Sequence, residues 1–229
     1  MRGKLLIAGL IAALASVGSA KSADLNLNGN VNLVNQVLPK GRHLSDKSLM
    51  AIERVSLGNG DVNVGVSVLA NYSIRDSDFS LGIVSPDVRF KLKGANVRLA
   101  YNDISLPLKD VNLEEVDCSV SYPIALEHVT LTPALRVIDD LEKRTHVQSS
   151  VNGGFEVLGQ NVNVGVSAMY EHNEDGEGGF TQGTINVKAP FKIGNAIVTP
   201  SVSYQEPLGA MSKSFDRKFT GGVSISGGV

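Results

Sequence analysis

The stretch Val62-Asn63-Val64-Gly65-Val66-Ser67 recurs letter for letter as Val162-Asn163-Val164-Gly165-Val166-Ser167, 100 residues later. Its period is two. Val62, Val64, Val66, Val68, Ala70, Tyr72 and Ile74 fall on one face, while Asn63, Gly65, Ser67, Asn71 and Ser73 fall on the other. The second copy repeats the division, with Val162, Val164, Val166, Ala168 and Tyr170 against Asn163, Gly165, Ser167 and Glu171. Such alternation describes an extended strand with one apolar and one wet side. The same rhythm sets Val116, Cys118, Val120, Tyr122 and Ile124 against Glu115, Asp117, Ser119 and Ser121.

Working outward, a longer beat appears. Tyr122-Pro123-Ile124 and Leu131-Thr132-Pro133 are echoed 67 residues on by Ala189-Pro190-Phe191 and Val198-Thr199-Pro200. Offsets of 100 and 67 are three and two units of about 33 residues, the size of a hairpin of two long strands. Short turn signals keep that beat at Gly58-Asn59-Gly60, Lys93-Gly94, Gly159-Gln160-Asn161 and Ile193-Gly194-Asn195. Longer polar stretches separate them, such as Asp139–Thr145 and His172–Gly179. Short connections at one end and long ones at the other organise up-and-down barrels of the outer membrane.

A soluble sandwich also alternates, with its apolar side inward. Length separates the two. The segments here run well beyond the 5–6 residues of an ordinary strand and match the roughly 9–11 needed to cross a bilayer. Rings supply a second criterion. Phe90, Tyr122, Phe155 and Phe191 lie near the short turns, and Tyr72, Tyr170 and Tyr204 toward the long loops, with Phe79, Phe180 and Phe215 beyond them. Two aromatic bands with aliphatic residues between them are the girdles of a membrane slab. Tyr101 and Phe219 fit neither band.

The expected fold is all-β, an antiparallel up-and-down transmembrane β-barrel of about 12 strands. They are placed at 24–38, 48–57, 61–74, 79–92, 95–106, 113–124, 127–138, 146–158, 161–172, 180–192, 195–205 and 215–227. Ser48–Leu57 also reads as helix, capped by Asp46, and the barrel then closes with ten strands. Phe79, Leu81 and Ile83 are odd while Val88, Phe90 and Leu92 are even, so a bulge is expected near Ser85-Pro86. Pro123, Pro133, Pro190 and Pro200 each forfeit a ladder bond, and local bulges are expected there too.

The rest of the composition agrees. The chain has 229 residues, 19% of them charged, with formal charge −2, so no basic excess is available to hold a nucleic acid. A single cysteine excludes an internal disulfide or a multi-cysteine metal site. Arg2 and Lys4 precede an apolar run from Leu5 to Val17 and the small residues Gly18, Ser19 and Ala20. Residues 1–20 therefore read as a secretory signal peptide and 21–229 as the barrel domain. The run is shorter than the roughly 20 apolar residues of a spanning helix.

Signal peptide, hairpin beat, alternation and girdles together make the mature chain similar to the porin-like outer-membrane β-barrel proteins of bacteria. The likeness is one of architecture, and it implies residence in the outer membrane with lipid around the apolar faces. One departure stands out: such barrels usually end on an aromatic residue, whereas this sequence ends on Val229.

Chemistry is harder to find. A barrel phospholipase needs a His and a Ser on one strand face beside an orienting Asn. The His-x-Ser here, His43-Leu44-Ser45, sits in a basic loop, and His146 and Ser149 face opposite ways. Asp139-Asp140 and Glu171-His172 are the nearest approach to an acidic protease rim. His43, His128, His146 and His172 are scattered, and the acidic runs Asp76-Ser77-Asp78 and Glu174–Glu177 lack the spacing of a calcium loop. No catalytic residue, metal ligand or cofactor is expected.

What remains is the lumen. The polar faces carry small groups such as Ser119, Ser121, Thr199, Ser201 and Ser203, which a dry core would reject. By the same parity Arg89, Lys91, Arg98, Arg136 and Lys188 project inward, mostly toward the short turns, and Glu115, Asp117 and Glu171 toward the loops. Facing charges of opposite sign would select small polar solutes by a transverse field. The expected function is a passive porin-like channel for small hydrophilic solutes. A closed barrel acting as receptor or adhesin, and a secreted soluble β-protein, are the alternatives. Oligomeric state, a homo-oligomer included, is left open by the sequence.

Overall fold

A computed structural model describes residues 24–34, 48–58, 61–74, 77–107, 111–141, 144–157, 159–209 and 217–228. Residues 1–20, read as a leader, lie outside them, as do His43, Asp76 and Phe215. The described chain is all strand: β1 (Asp24–Val34), β2 (Ser48–Gly58), β3 (Val62–Ser73), β4 (Asp78–Leu92), β5 (Ala95–Leu106), β6 (Val111–Ser121), β7 (Ile124–Ala125), β8 (Val129–Asp139), β9 (Arg144–Val157), β10 (Gln160–Asn173), β11 (Gly178–Lys188), β12 (Phe191–Ile193), β13 (Ala196–Pro207) and β14 (Lys218–Gly228).

Neighbours pair antiparallel in sequence order, and two further registers complete the ring: Lys188 lies opposite Ser201 on β13, and Val31 opposite Ile225 joins β1 to β14. The dyads β6–β7 and β11–β12 are single strands interrupted at a proline. Counted so, twelve strands among the described residues form an up-and-down barrel. An even number places the outer ends of β1 and β14 on the short-turn side. A ring of pairings leaves no open edge.

Closure also decides β2. Its helical spacing is overridden because β1 and β3 both need a partner: Leu49 to Leu57 pair with β1 on one side and β3 on the other. The ten-strand alternative is thereby removed. Between β4 and β5 the link is two residues, Lys93 (φ 48) and Gly94 (φ 86), both left-handed as a tight hairpin turn demands.

The prolines act differently from expectation. Ser121 lies opposite Ala134 and Ile124 opposite Leu131, so the register across Pro123 is unshifted. The same holds across Pro190, between Lys188–Ser201 and Phe191–Val198. These are breaks, not bulges. Tyr122 N–H still donates to the Pro133 carbonyl at 3.0 Å, and Ala189 N–H to that of Pro200 at 3.2 Å, which keeps the strand in line.

The parity slip in β4 also lies elsewhere. Val84 faces Asp103 and Asp87 faces Ala100, so Ser85-Pro86 interrupts the ladder without displacing it. The extra residue is Ser80: Asn71 pairs with Leu81, then Tyr72 with Phe79. Phe79 points out, and Leu81, with Ile83 beyond it, turns in, contrary to their grouping with Phe79 above. Thr181 does the same in β11, between Met169–Gln182 and Tyr170–Phe180. Each bulged side chain is buried, and its hydroxyl donates back to the strand opposite, Ser80 to the Asn71 carbonyl at 3.5 Å and Thr181 to that of Met169 at 3.3 Å.

Each bulge brings a Tyr edge-on to a Phe. The ring centroids of Tyr72–Phe79 and Tyr170–Phe180 are both 5.6 Å apart. Phe219, assigned to neither band from sequence, pairs with Tyr204 at 6.1 Å and so belongs to the loop-side girdle. Tyr101 is buried on β5.

Burial is inverted relative to a soluble domain. Among the described residues seven apolar side chains are buried, against twelve polar or charged ones, and thirty-one large apolar side chains are exposed. Val66, Val68, Leu135, Val166, Ile185 and Ile225 are each 40–52% exposed, while Asn71, Ser73 and Asp87 are at 0%. A water-soluble fold would leave such a continuous apolar belt uncovered at great cost. Val64, flanked in register by Leu57 and Val88, is the one outward valine among the described residues that is fully covered. Glu53 stands on the outer face midway along β2, an acid among aliphatic neighbours.

The repeat also finds its meaning in the ring. β3 and β10 are six strands apart among twelve, so the two copies of Val-Asn-Val-Gly-Val-Ser face each other across the lumen.

Candidate functional site

The site is built on the inner wall. On β2 to β8, successive strands present inward side chains that meet at one height because cross-strand neighbours share a face. Arg54 of β2 reaches over Gly65 of β3 to Asp87 of β4, with Nη2 donating to Oδ1 at 2.6 Å and Nε to Oδ2 at 3.4 Å. Arg89 Nη2 donates to the same carboxylate at 3.0 Å, and Arg98 Nε at 3.5 Å. Arg98 continues to Asp117 of β6, Nη1 to Oδ2 at 2.6 Å. Arg136 of β8 grips Asp117 with two bonds, Nε to Oδ1 at 2.9 Å and Nη2 to Oδ2 at 2.8 Å.

A ladder results, Arg54–Asp87–Arg98–Asp117–Arg136, with Arg89 added at its second rung. Two buried carboxylates, at 0% and 1% exposure, are each held by at least two guanidiniums. Burying an acid is tolerable only with such pairing. Four arginines against two aspartates leave the ladder with an excess of two positive charges. That excess faces the lumen, since Arg89 and Arg136 stay 46% and 42% exposed.

Glycine makes room for the first rung. A Cβ on Gly65 would lie 2.7 Å from Arg54 Nη2 and 2.7 Å from the Val55 carbonyl oxygen. Across the lumen Gly165 lies between Asn152 of β9 and Asn186 of β11 in register, and its added Cβ would sit against both amides. One repeat therefore cradles an ion pair and the other two carboxamides. Gln148 Nε2 also donates to Ser167 Oγ at 3.2 Å on this wall.

Of the eight residues expected in the lumen, Arg89, Arg98, Arg136 and Asp117 meet in the ladder. Asp117 lies between Arg98 and Arg136 on one stretch of wall, so opposite charges touch side by side where the sequence suggested that they face each other across the lumen. Lys91 follows Arg89 toward the short turns, and Lys188 stands exposed on β11 of the other wall. Glu115 is buried on β6. Glu171 approaches His146 Nδ1 at 3.5 Å and Arg144 at 4.0 Å near the long loops.

Arg54 and Asp87 escaped the sequence reading. Arg54 sits in the strand that also read as helix, and Asp87 beside the expected bulge. Asp87 does share the odd parity of Arg89, the one signal available for it.

Above the ladder, toward the long loops, the wall of β2 to β6 turns apolar. Leu81 and Ile104 are buried there, with Met50, Leu69, Ile83, Leu106 and Leu113 packed against them. Toward the short turns a cavity of about 860 Å³ lies beside Thr130, Gly154, Asn161 and Asn163.

No family model matches the chain, and a search of curated proteins finds no match either. Solved structures do match. An outer-membrane channel from Pseudomonas putida F1 superposes with a TM-score of 0.59 at 12% identity, covering 89% of this chain and 95% of that one. LpxR from Salmonella typhimurium gives 0.55 at 8% identity, covering 90% and 99%. KdgM porin gives 0.51 at 9% identity, covering 88% and 98%. At such identities the likeness extends to the fold alone, and the matching folds include proteins of different activities. The chain has the fold of the bacterial outer-membrane β-barrels.

Proposed function

We propose that the protein resides in the outer membrane, exported by its first 20 residues, and acts as a passive channel for small hydrophilic solutes without catalysing a reaction. One observation carries this reading: the inner wall is polar and charged and holds a cavity of about 860 Å³ toward the short turns, whereas the outer wall is an aliphatic belt. Lumen groups such as Ser119, Ser201 and Asn163 offer hydrogen bonds to water on the short-turn half of the wall, as a wet pore needs. Two of the matched folds belong to proteins described as a channel and a porin. Neither a metal nor an organic cofactor has a role in this function, and the partners are lipid and solute.

A closed barrel with a surface role is the second reading, favoured by the apolar cluster around Leu81 and Ile104 at the loop end. Conductance separates them. Folded protein added to a planar bilayer in salt should give discrete current steps. Protein that shifts on a gel between unboiled and boiled samples, yet gives no steps, supports the closed barrel.

A further inference from the structure

A cavity of about 360 Å³ opens on the short-turn side of the ladder, against β4, β5 and β6. Two rows of register neighbours line it. One runs Lys91–Asn96–Ser121, the other Arg89–Arg98–Ser119. Each row thus begins in a cation on β4 and ends in a hydroxyl on β6.

The groups are not equally free. Arg98 is spent on Asp87, Asp117 and Ser85, the last accepting from Nη2 at 3.2 Å. Arg89 spends only Nη2, so its Nε and second terminal nitrogen remain available, and it is 46% exposed. Lys91 is exposed, and its ammonium has no partner among the described residues. Asn96, Ser119 and Ser121 likewise make no side-chain hydrogen bond among the described residues. Among the described residues the rim bears one acid, Asp61, so ladder and rim together hold five bases against three acids.

A guanidinium and an ammonium with unused donors bind an anionic oxygen group strongly. A carboxamide and two hydroxyls a few ångströms away suit the donors and acceptors of a polyol. The volume lies at the small end of ligand pockets, sized for a monosaccharide and not for a chain of them. We propose that this cavity is a lumen subsite for a small polyhydroxylated anion, its charged oxygens held by Arg89 and Lys91 and its hydroxyls by Asn96, Ser119 and Ser121. The proposal rests on the channel reading and adds to it the class of solute that is retained during passage.

The test compares gluconate with sorbitol, polyols of the same carbon count that differ by a carboxylate. In planar bilayers, potassium gluconate is expected to interrupt single-channel current at concentrations where sorbitol does not. In the double variant R89Q/K91Q the half-blocking concentration should rise about tenfold or more, the loss of two charge-assisted contacts. The variant should fold, because Asp87 keeps Arg54 and Arg98, and the gel shift between unboiled and boiled samples checks this. Equal block by gluconate and sorbitol, or a folded variant blocked like the parent, would overturn the subsite while leaving the channel intact. If no current steps occur at all, calorimetric titration of the folded protein decides. Gluconate binding lost in R89Q/K91Q then upholds the subsite without the channel, and absence of gluconate binding overturns the subsite.

Discussion

Replacing Asp87 by alanine should destabilise the folded barrel by about 2–4 kcal/mol, the cost of leaving a buried cation unpaired. Arg54 bears most of this. It is only 13% exposed, and its one other side-chain bond among the described residues is Nη2 to Asn63 Oδ1 at 3.1 Å. Arg89 and Arg98 contribute less, being 46% and 26% exposed and partly relieved by water. The measurement is the urea midpoint of the folded, slow-heating gel form in lipid vesicles. A second substitution, Arg54→Gln, should restore part of the loss, because it removes the stranded charge. An indifferent D87A variant would mean that the ladder contributes nothing to holding β2, β4 and β5 together. The same change raises the net charge of the wall by one, so reversal potentials in a salt gradient should move toward anions.

The second large effect concerns the outer wall. Val166 lies near the middle of β10, 52% exposed, and Ser167 is its inward neighbour. Arginine at Val166 should cost about 2–4 kcal/mol in a bilayer, the penalty for a cation near the midplane of the lipid face. Arginine at Ser167 forfeits the bond from Gln148 Nε2, about 1 kcal/mol, and otherwise projects toward the polar inner wall. Adjacent residues should thus differ severalfold in cost, read as urea midpoints in vesicles. Equal costs would mean that β10 does not have one face in lipid and the other in water.

The strands were legible because two signals coincide in this chain. Alternation marks each face, and Gly- or Asn-bearing turns mark each end, so 95–106 is placed to the residue and β3 and β4 to within one. β2 was ambiguous for a physical reason: Leu49, Ile52 and Glu53 satisfy a helical spacing as well as a strand, and the decision belongs to β1 and β3. The bulges at Ser80 and Thr181 could not be placed because a bulge exists only relative to a partner strand, and register is not written in either strand alone. Phe219 was missed for the same reason, since its place in the girdle follows from Tyr204 opposite.

Parity was enough to pick out Arg89, Arg98, Arg136 and Asp117 as inward groups. It could not say which of them touch, because contact depends on cross-strand registers such as Arg89–Arg98 and Ser119–Arg136. An arrangement of opposite charges across the lumen and one along a single wall have the same sequence pattern. The structure realises the second, and it does so by recruiting Asp87 and Arg54, whose strands were the least certain in the sequence.

The orientation of the two faces underlies all of this, and thiol labelling tests it most directly. With Cys118 replaced by alanine, single cysteines are placed in turn at positions 163, 164, 166, 167 and 168 of β10, leaving out Gly165 because a side chain there would press on Asn152 and Asn186, and the folded protein in lipid vesicles is exposed to a membrane-impermeant thiol reagent. Positions 163 and 167 should react and positions 164, 166 and 168 should stay protected until the lipid is dissolved. Reaction at the even positions with protection at the odd ones, or no alternation at all, would contradict the account.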